Sequence, residues 1–193
     1  MAGEIEVRPL TPERWDDFAE LLGKNGACLG CWCSYWRVPR KEFDAIRGEE
    51  AKALMRKRVE AGPPPGLLAY RDGEAVGWLQ TGPRADTPQW NSPRRLSAPA
   101  PDAPAEDPGV WGATCFFVKA GHRRQGVTTA LVAAAIEQAR TAGARVLEAC
   151  PMDSERRRDV TTMYVGSAGT FRRAGFREVA RPKADRPLMR LEL

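Results

Sequence analysis

Between Cys115 and Thr129 the chain reads Cys-Phe-Phe-Val-Lys-Ala-Gly-His-Arg-Arg-Gln-Gly-Val-Thr-Thr. The apolar run Phe116-Phe117-Val118 is what a strand buried on both faces looks like. It gives way at once to a basic, glycine-containing loop. An alanine-rich stretch from Val127 to Arg140 follows, with Leu131, Val132, Ala135 and Ile136 on one helical face. A central strand feeding directly into a packed helix constrains the fold to layers of helix on sheet. The same arrangement makes an anion site. The first turn of a helix has unpaired N–H groups and the positive end of the helix dipole. Gly126 lets an anion approach the backbone, Arg123 and Arg124 add charge, and a diphosphate suits such a cradle.

The remaining elements follow from periodicity and punctuation. Ile5 to Pro9 alternates as a strand. Thr11 is placed to cap a helix with Pro12 at its first position and Trp15, Phe18, Leu21 and Leu22 on one face, ending at Gly23 or Gly26. The spacing of Ala51, Leu54, Met55 and Val59 predicts one helix from about Arg40 to Glu60, stopped by Gly62-Pro-Pro-Pro65. Asp72-Gly73 between two apolar runs, Leu67–Tyr70 and Ala75–Leu79, predicts a hairpin. Gly82 to Gly109, rich in Pro, Ala, Ser and Asp, is too long for an ordinary connection. It reads as either a lid or a mobile insertion, with Trp90 and Leu96 anchoring a turn. Strands are expected at Val110–Val118 and Arg145–Cys150, a helix from Ser167 to Ala174, and closing strands at Phe176–Val179 and Leu188–Leu193. The order β-α-α-β-β-β-α-β-α-β-β describes an α/β fold with a mixed central sheet and helices on both faces, in one domain over residues 1–193.

Composition narrows the function. A length of 193 residues with 42% apolar side chains suffices for one buried core. No apolar run spans a bilayer, and Met1-Ala-Gly-Glu-Ile-Glu-Val lacks the pattern of a secretory signal, so a cytoplasmic protein with no membrane partner is expected. The net charge of +5 suits an anionic ligand. Neither zinc-finger spacing nor an aromatic-rich RNA-binding signature is present, and Arg156-Arg157-Arg158 reads as a solvated face. A single histidine, His122, argues against multi-histidine chemistry. Three of the five cysteines crowd into Cys28, Cys31 and Cys33. Zinc would need a fourth ligand from Cys115, Cys150 or His122, and no second Cys-x-x-Cys supports it. Reduced, buried thiols and no metal are expected.

The run Arg123-Arg-Gln-Gly-Val-Thr128 resembles the acyl-CoA motif of the GNAT superfamily of N-acyltransferases, and Gly169-Thr-Phe-Arg-Arg-Ala-Gly-Phe176 resembles that superfamily's last helix. The stretch Gly30-Cys-Trp-Cys-Ser-Tyr-Trp-Arg37 is similar to a bacterial branch of it. The resemblance implies splayed central strands and acetyl-CoA as co-substrate. It implies that Phe116, Phe117 and Val118 flank the donor, with the backbone of Phe116 and Val118 pairing with the pantetheine arm. The N–H groups of Arg124, Gln125, Gly126, Val127, Thr128 and Thr129 would cradle the diphosphate, and Arg123 or Arg124 would reach the adenosine phosphate. The bulk of Phe116 and Phe117 implies a short acyl chain. The sequence departs from the family at Thr128, where Gly or Ala is usual, and at Phe171, where many relatives place a tyrosine. Phe171 is expected on the pantetheine or in the core.

Aminolysis of a thioester needs an amine that loses a proton, a stabilised oxyanion and a departing thiolate. The Val118 N–H is the oxyanion candidate, and Tyr164, before Ser167, the candidate acid. Glu148 and Asp153 are candidate bases. Glu148 either lies buried with a raised pKa or faces solvent, with water relaying the proton. Cys31, Trp32, Cys33 and Trp36 are expected to line the pocket of a small-molecule amine. A covalent cysteine has no obvious histidine partner. Thr128 motivates a second possibility, a donor carried on a carrier protein or aminoacyl-tRNA. Phe171 motivates a third, a non-catalytic acyl-CoA binder. A monomer or homodimer is expected.

Overall fold

The fold, obtained as a computed structural model, describes residues 3–153 and 164–193; the Arg156-Arg157-Arg158 run lies outside the described residues. The strands are β1 (Ile5–Pro9), β2 (Gly66–Arg71), β3 (Glu74–Pro83), β4 (Val110–Val118), β5 (Val146–Ala149), β6 (Arg177–Lys183) and β7 (Arg186–Glu192). They form one sheet in the order β1-β2-β3-β4-β5-β7-β6. Only β4 and β5 pair in parallel. The helices are α1 (Trp15–Leu22), α2 (Arg40–Ile46), α3 (Glu49–Ala61), α4 (Val127–Thr141) and α5 (Ala168–Arg173).

Strand alternation sorts the core into two layers. Leu67, Ala69, Val76, Leu79 and Phe116 face Val127, Leu131, Val132 and Phe171 of α4 and α5. Leu68, Tyr70, Ala75 and Trp78 face Trp15, Phe18, Met55 and Val59 of α1 and α3. The mixed sheet with helices on both faces is therefore as the periodicity predicts. The Asp72-Gly73 hairpin forms with both residues at positive φ, 51° and 81°, as a tight turn matched to strand twist requires.

Two helical expectations need correction. Thr11 makes no side-chain cap, and Pro12–Arg14 form a 3-10 turn before α1 begins at Trp15. The single helix expected over 40–60 is two, because Gly48 takes a left-handed φ of 89° between them. Apolar spacing alone does not register that break; glycine permits it at no steric cost.

The Pro-rich segment 82–109, expected as a lid or a mobile insertion, folds into a 3-10 turn and a succession of turns packed against the sheet. Trp90, 1% exposed, lies over Gly112, where a Cβ would come within 3.1 Å of its ring. Ala103 packs with Val110 and Val146. The main fastening is ionic. Glu148 of β5 and Arg84 are both fully buried and paired, and Arg190 of β7 donates its Nε to the other Glu148 oxygen at 2.9 Å. Arg84 also donates to Asn91 Oδ1 at 3.0 Å and to the Ser97 carbonyl, and lies 4.3 Å over the Trp90 ring. Arg190 closes the chain with a two-pronged pair to Asp102, at 2.6 and 3.1 Å. Charges of both signs balance, which is what makes such burial tolerable.

Glu148→Ala would leave buried Arg84 without a counter-charge, while Arg190 keeps Asp102. It is expected to lower stability by roughly 3–5 kcal/mol, read as a shifted midpoint in urea unfolding at unchanged slope. A loss below about 1 kcal/mol, the range of exposed pairs, would mean that the ion pairs do not hold the segment.

Candidate active site

The site begins where β4 and β5 part. Their pairing runs from Val110↔Val146 to Ala113↔Ala149 and stops. Two local features end it. Pro151 follows β5 and has no N–H for a ladder. On β4 the register against β3 jumps from Gln80↔Cys115 to Thr81↔Ala113, so Thr114 is a bulge, and a bulge bends its strand. Residues 114–118 of β4 therefore run on beside β3 without β5.

What that free edge offers follows from the ladder. Lys119 N–H donates to Val76 O at 3.0 Å. Bonded and non-bonded pairs alternate in an antiparallel ladder. The Gly77/Val118 and Leu79/Phe116 pairs thus turn their N–H and C=O groups of β4 away from β3, into the gap. Arg123 folds back there and donates its Nε to Val118 O at 3.1 Å. The Phe116 ring lies in the α4 layer, and Phe117 packs against the α1 side.

The loop from β4 to α4 is built to present N–H groups. Arg124 takes a left-handed φ of 60° and Gly126 one of 86°. Such turns form a concave nest of backbone N–H groups. Gly126 is the N-cap of α4 and supplies no side-chain oxygen, so the first-turn N–H groups are left for a ligand. Gln125 braces the loop from within: its Nε2 donates to Gly121 O at 2.7 Å, and buried Arg71 of β2 donates to its side chain and, at 3.1 Å, to its carbonyl. Val127 is buried on Gly77, where any Cβ would come within 2.5 Å of its Cγ1. Thr128 is half-buried; Arg123, Arg124, Gly126 and Thr129 are exposed.

On the other face of β4 lies an aromatic and sulfur-lined wall. Trp36, Trp90, Cys150 and Leu188 form its core, with Tyr35, Leu96, Cys115 and Tyr164 against it. Tyr164 lies 6.2 Å from the Trp36 ring, and its phenol is pushed up to about 12 by burial and by nearby Cys115. It stays protonated at neutral pH. Cys33 Sγ approaches Cys115 Sγ at 4.0 Å.

Several expected roles change. Glu148 is buried, but Arg84 and Arg190 occupy its two oxygens, so it is not free to take an amine proton. Asp153 is bound by Arg172 at 3.0 and 2.7 Å and by Arg181 at 2.8 Å; these bonds lower it to about 2, which makes it a poor base. Ser167 Oγ caps α5 by accepting from Thr170 N–H at 3.3 Å. Phe171 is fully buried between Phe116 and Phe176, with ring centroids 6.0 and 5.0 Å away, so the core takes it rather than a ligand. Trp32 does not join Trp36. Left-handed φ values at Trp32 and Cys33 turn the chain between them, and Trp32 packs on Trp15 and Phe18 in the α1 layer. Cys31 is pushed up to about 12 by burial and Cys33, and Cys115 well above the usual range by its bond to Cys33 and by burial. Both are neutral thiols, not nucleophiles. Among the described residues no three His, Cys, Asp or Glu side chains gather as a metal would require, and no helix is long and apolar enough to cross a membrane.

Sequence reasoning missed Arg84 and Arg190. The signal was a carboxylate, Glu148, in an apolar strand, which demands a buried cation without saying which of many arginines supplies it.

A family model described as the acetyltransferase (GNAT) family matches residues 30–161. Among solved structures, the chain is similar to a GNAT-family acetyltransferase of Listeria monocytogenes, at 14% identity and a TM-score of 0.56, covering 99% of this chain and 96% of that one. It is similar to the PaiA N-acetyltransferase of Thermoplasma acidophilum in complex with coenzyme A, at 12% identity and a TM-score of 0.55 over 98% and 99% of the two chains. YncA of Salmonella typhimurium, solved with acetyl-CoA, gives 15% identity and a TM-score of 0.55 over 98% and 94%. At these identities the likeness concerns the fold. No curated protein matches the chain in sequence.

The Asp153 pairs predict an acid-dependent stability. An aspartate in the unfolded chain titrates near ~3.9, above the folded value of about 2. The stabilisation is therefore complete above the unfolded value and is lost as pH falls through the folded one. The stability gap between wild type and Asp153→Asn, measured by denaturant titration, is expected to be constant from roughly pH 7 to 5 and to close between about pH 4 and 2. A gap undiminished at the acid end would refute the assignment.

Proposed function

The chain belongs to the GNAT acetyltransferase family, and from that premise we propose that it moves an acyl group, acetyl by default, from acyl-CoA to the amine of a small molecule. The observation that carries this is the meeting, at one strand, of a free backbone edge at Phe116 and Val118 with a nest of N–H groups at Arg124 and Gly126. An extended pantetheine amide chain fits such an edge as an added strand would, and a diphosphate fits the nest. Acyl-CoA would supply a thioester: a C–N bond to the acceptor forms as the C–S bond breaks, and the amine sheds one proton while the thiolate gains one.

The chain's own groups divide that work. The Val118 N–H, turned into the gap, lies where it can hold the carbonyl oxygen as negative charge develops. Tyr164, protonated and near Cys115, would give its proton to the leaving sulfur. With Glu148 and Asp153 both committed to arginines, the amine gives up its proton to water. The aromatic wall formed by Trp36, Trp90 and Tyr164 excludes bulk water from the acceptor's side of β4.

Calorimetric titration with acetyl-CoA tests the donor site. Micromolar binding is expected for wild type, weakened roughly tenfold or more by Gly126→Glu, which fills the nest and adds repulsion, and less by Arg124→Ala. No binding to the wild type would remove this reading in favour of a carrier-protein or tRNA-borne donor. Tyr164→Phe is expected to lower kcat by about 10²-fold while leaving donor affinity nearly unchanged. An unchanged kcat would remove Tyr164 from the mechanism, and transfer to no amine in a broad panel would favour a binder of acyl-CoA.

A further inference from the structure

Most buried or half-buried arginines in this protein have an oxygen to bind. Arg84 and Arg190 share Glu148, Arg58 pairs with Asp86 at 2.6 Å, and Arg71 holds Gln125. Two half-buried guanidiniums on the acceptor's side of β4 differ in what they meet: Arg95 lies against rings, and Arg186 has a backbone oxygen but no carboxylate. Arg95 is half-buried with its charge against ring faces, 5.5 Å from the centre of Tyr35 and 5.3 Å from that of Trp36. Arg186, at the start of β7, donates to Cys150 O at 2.8 Å and touches Cys150 Sγ at 3.6 Å, while its Nε is buried without a partner. Among the described residues neither has a carboxylate partner.

The two lie on one wall. Cys150, under Arg186, donates its thiol to the carbonyl of Leu96, the residue after Arg95, at 3.5 Å. Tyr164 is near enough to both that each guanidinium pulls its pKa down against the larger effect of burial. The indole N–H of Trp36, a side chain 5% exposed on the same wall, is also without a partner. Half-buried cations without a counter-ion on one wall suit an anionic group. An anion reaching both guanidiniums would supply the counter-charge that neither has.

We propose that the acceptor is an amine that also carries a carboxylate, bound by Arg95 and Arg186 on the Cys150 side of the cleft so that its amine faces the free edge of β4. This rests on the acyl-transfer reading above and narrows it: amino acids and amino-acid-like acids are substrates, and cationic diamines are rejected by the same two charges.

The test is thiol release from acetyl-CoA with matched amines, each offered as the free acid, its carboxamide and its decarboxylated form, alongside calorimetric acetyl-CoA binding. Wild type is expected to favour the free acid in kcat/KM by roughly tenfold or more, the usual weight of one charge-assisted bond. That ratio should collapse toward unity in Arg186→Gln and Arg95→Gln and be partly kept in Arg186→Lys, with the change in KM rather than kcat. Equal or better turnover of carboxamides or diamines by wild type overturns the proposal whatever the variants do. So does a protein that binds acetyl-CoA but acylates no free acid. A protein that binds no acetyl-CoA overturns the acyl-transfer reading and this one with it.

Discussion

Glu148 lies between Arg84 and Arg190, and the order of segment 82–109 depends on that contact. A carboxylate at the centre of a sheet has no business there alone. It is tolerated because a long irregular segment carries Arg84 in from one side and an edge-ward strand carries Arg190 from the other. The segment is thereby ordered without a helix or strand of its own beyond a short turn. Trp90 and Leu96 then become a wall, and Arg95 acquires a fixed place on it. A residue that looks like a base in the sequence is a fastener in the fold.

The second constraint is the parting of β4 from β5. A bulge at Thr114 and a proline after β5 suffice to produce it, and both are local. The consequence is not local. One strand then presents three surfaces: an edge that β5 leaves unpaired, one face that packs on α4 and α5 through Phe116, and another that meets the aromatic wall through Cys115. The edge and the wall are therefore reached from different directions, and neither approach crosses the core.

Legibility in the sequence follows the range of the interactions involved. Residues 115–129 were readable because strand, loop and helix cap are contiguous, and the left-handed need at Gly126 is written as glycine. The hairpin at Asp72-Gly73 was readable for the same reason. The segment 82–109 was not, since its order comes from partners about sixty to ninety positions away, Glu148 and Arg190. Asp153 looked free because Arg172 and Arg181 belong to later elements. Trp32 and Trp36, close in sequence, separated because positive φ values between them are invisible to any periodicity. The break at Gly48 was visible as a glycine but outweighed by the apolar spacing around it.

Gly77 has a meaning beyond packing. A Cβ on it would come within 2.5 Å of the Val127 Cγ1, so the first turn of α4 rests on the sheet through its own side chain alone, with none rising from the sheet to meet it. The height of the helix's end over β4, and with it the depth at which a phosphate group would sit relative to the strand edge, is fixed by an atom that is not there. A larger residue at position 77 calls for a smaller one at 127 or a raised helix, so the two positions are tied to change together.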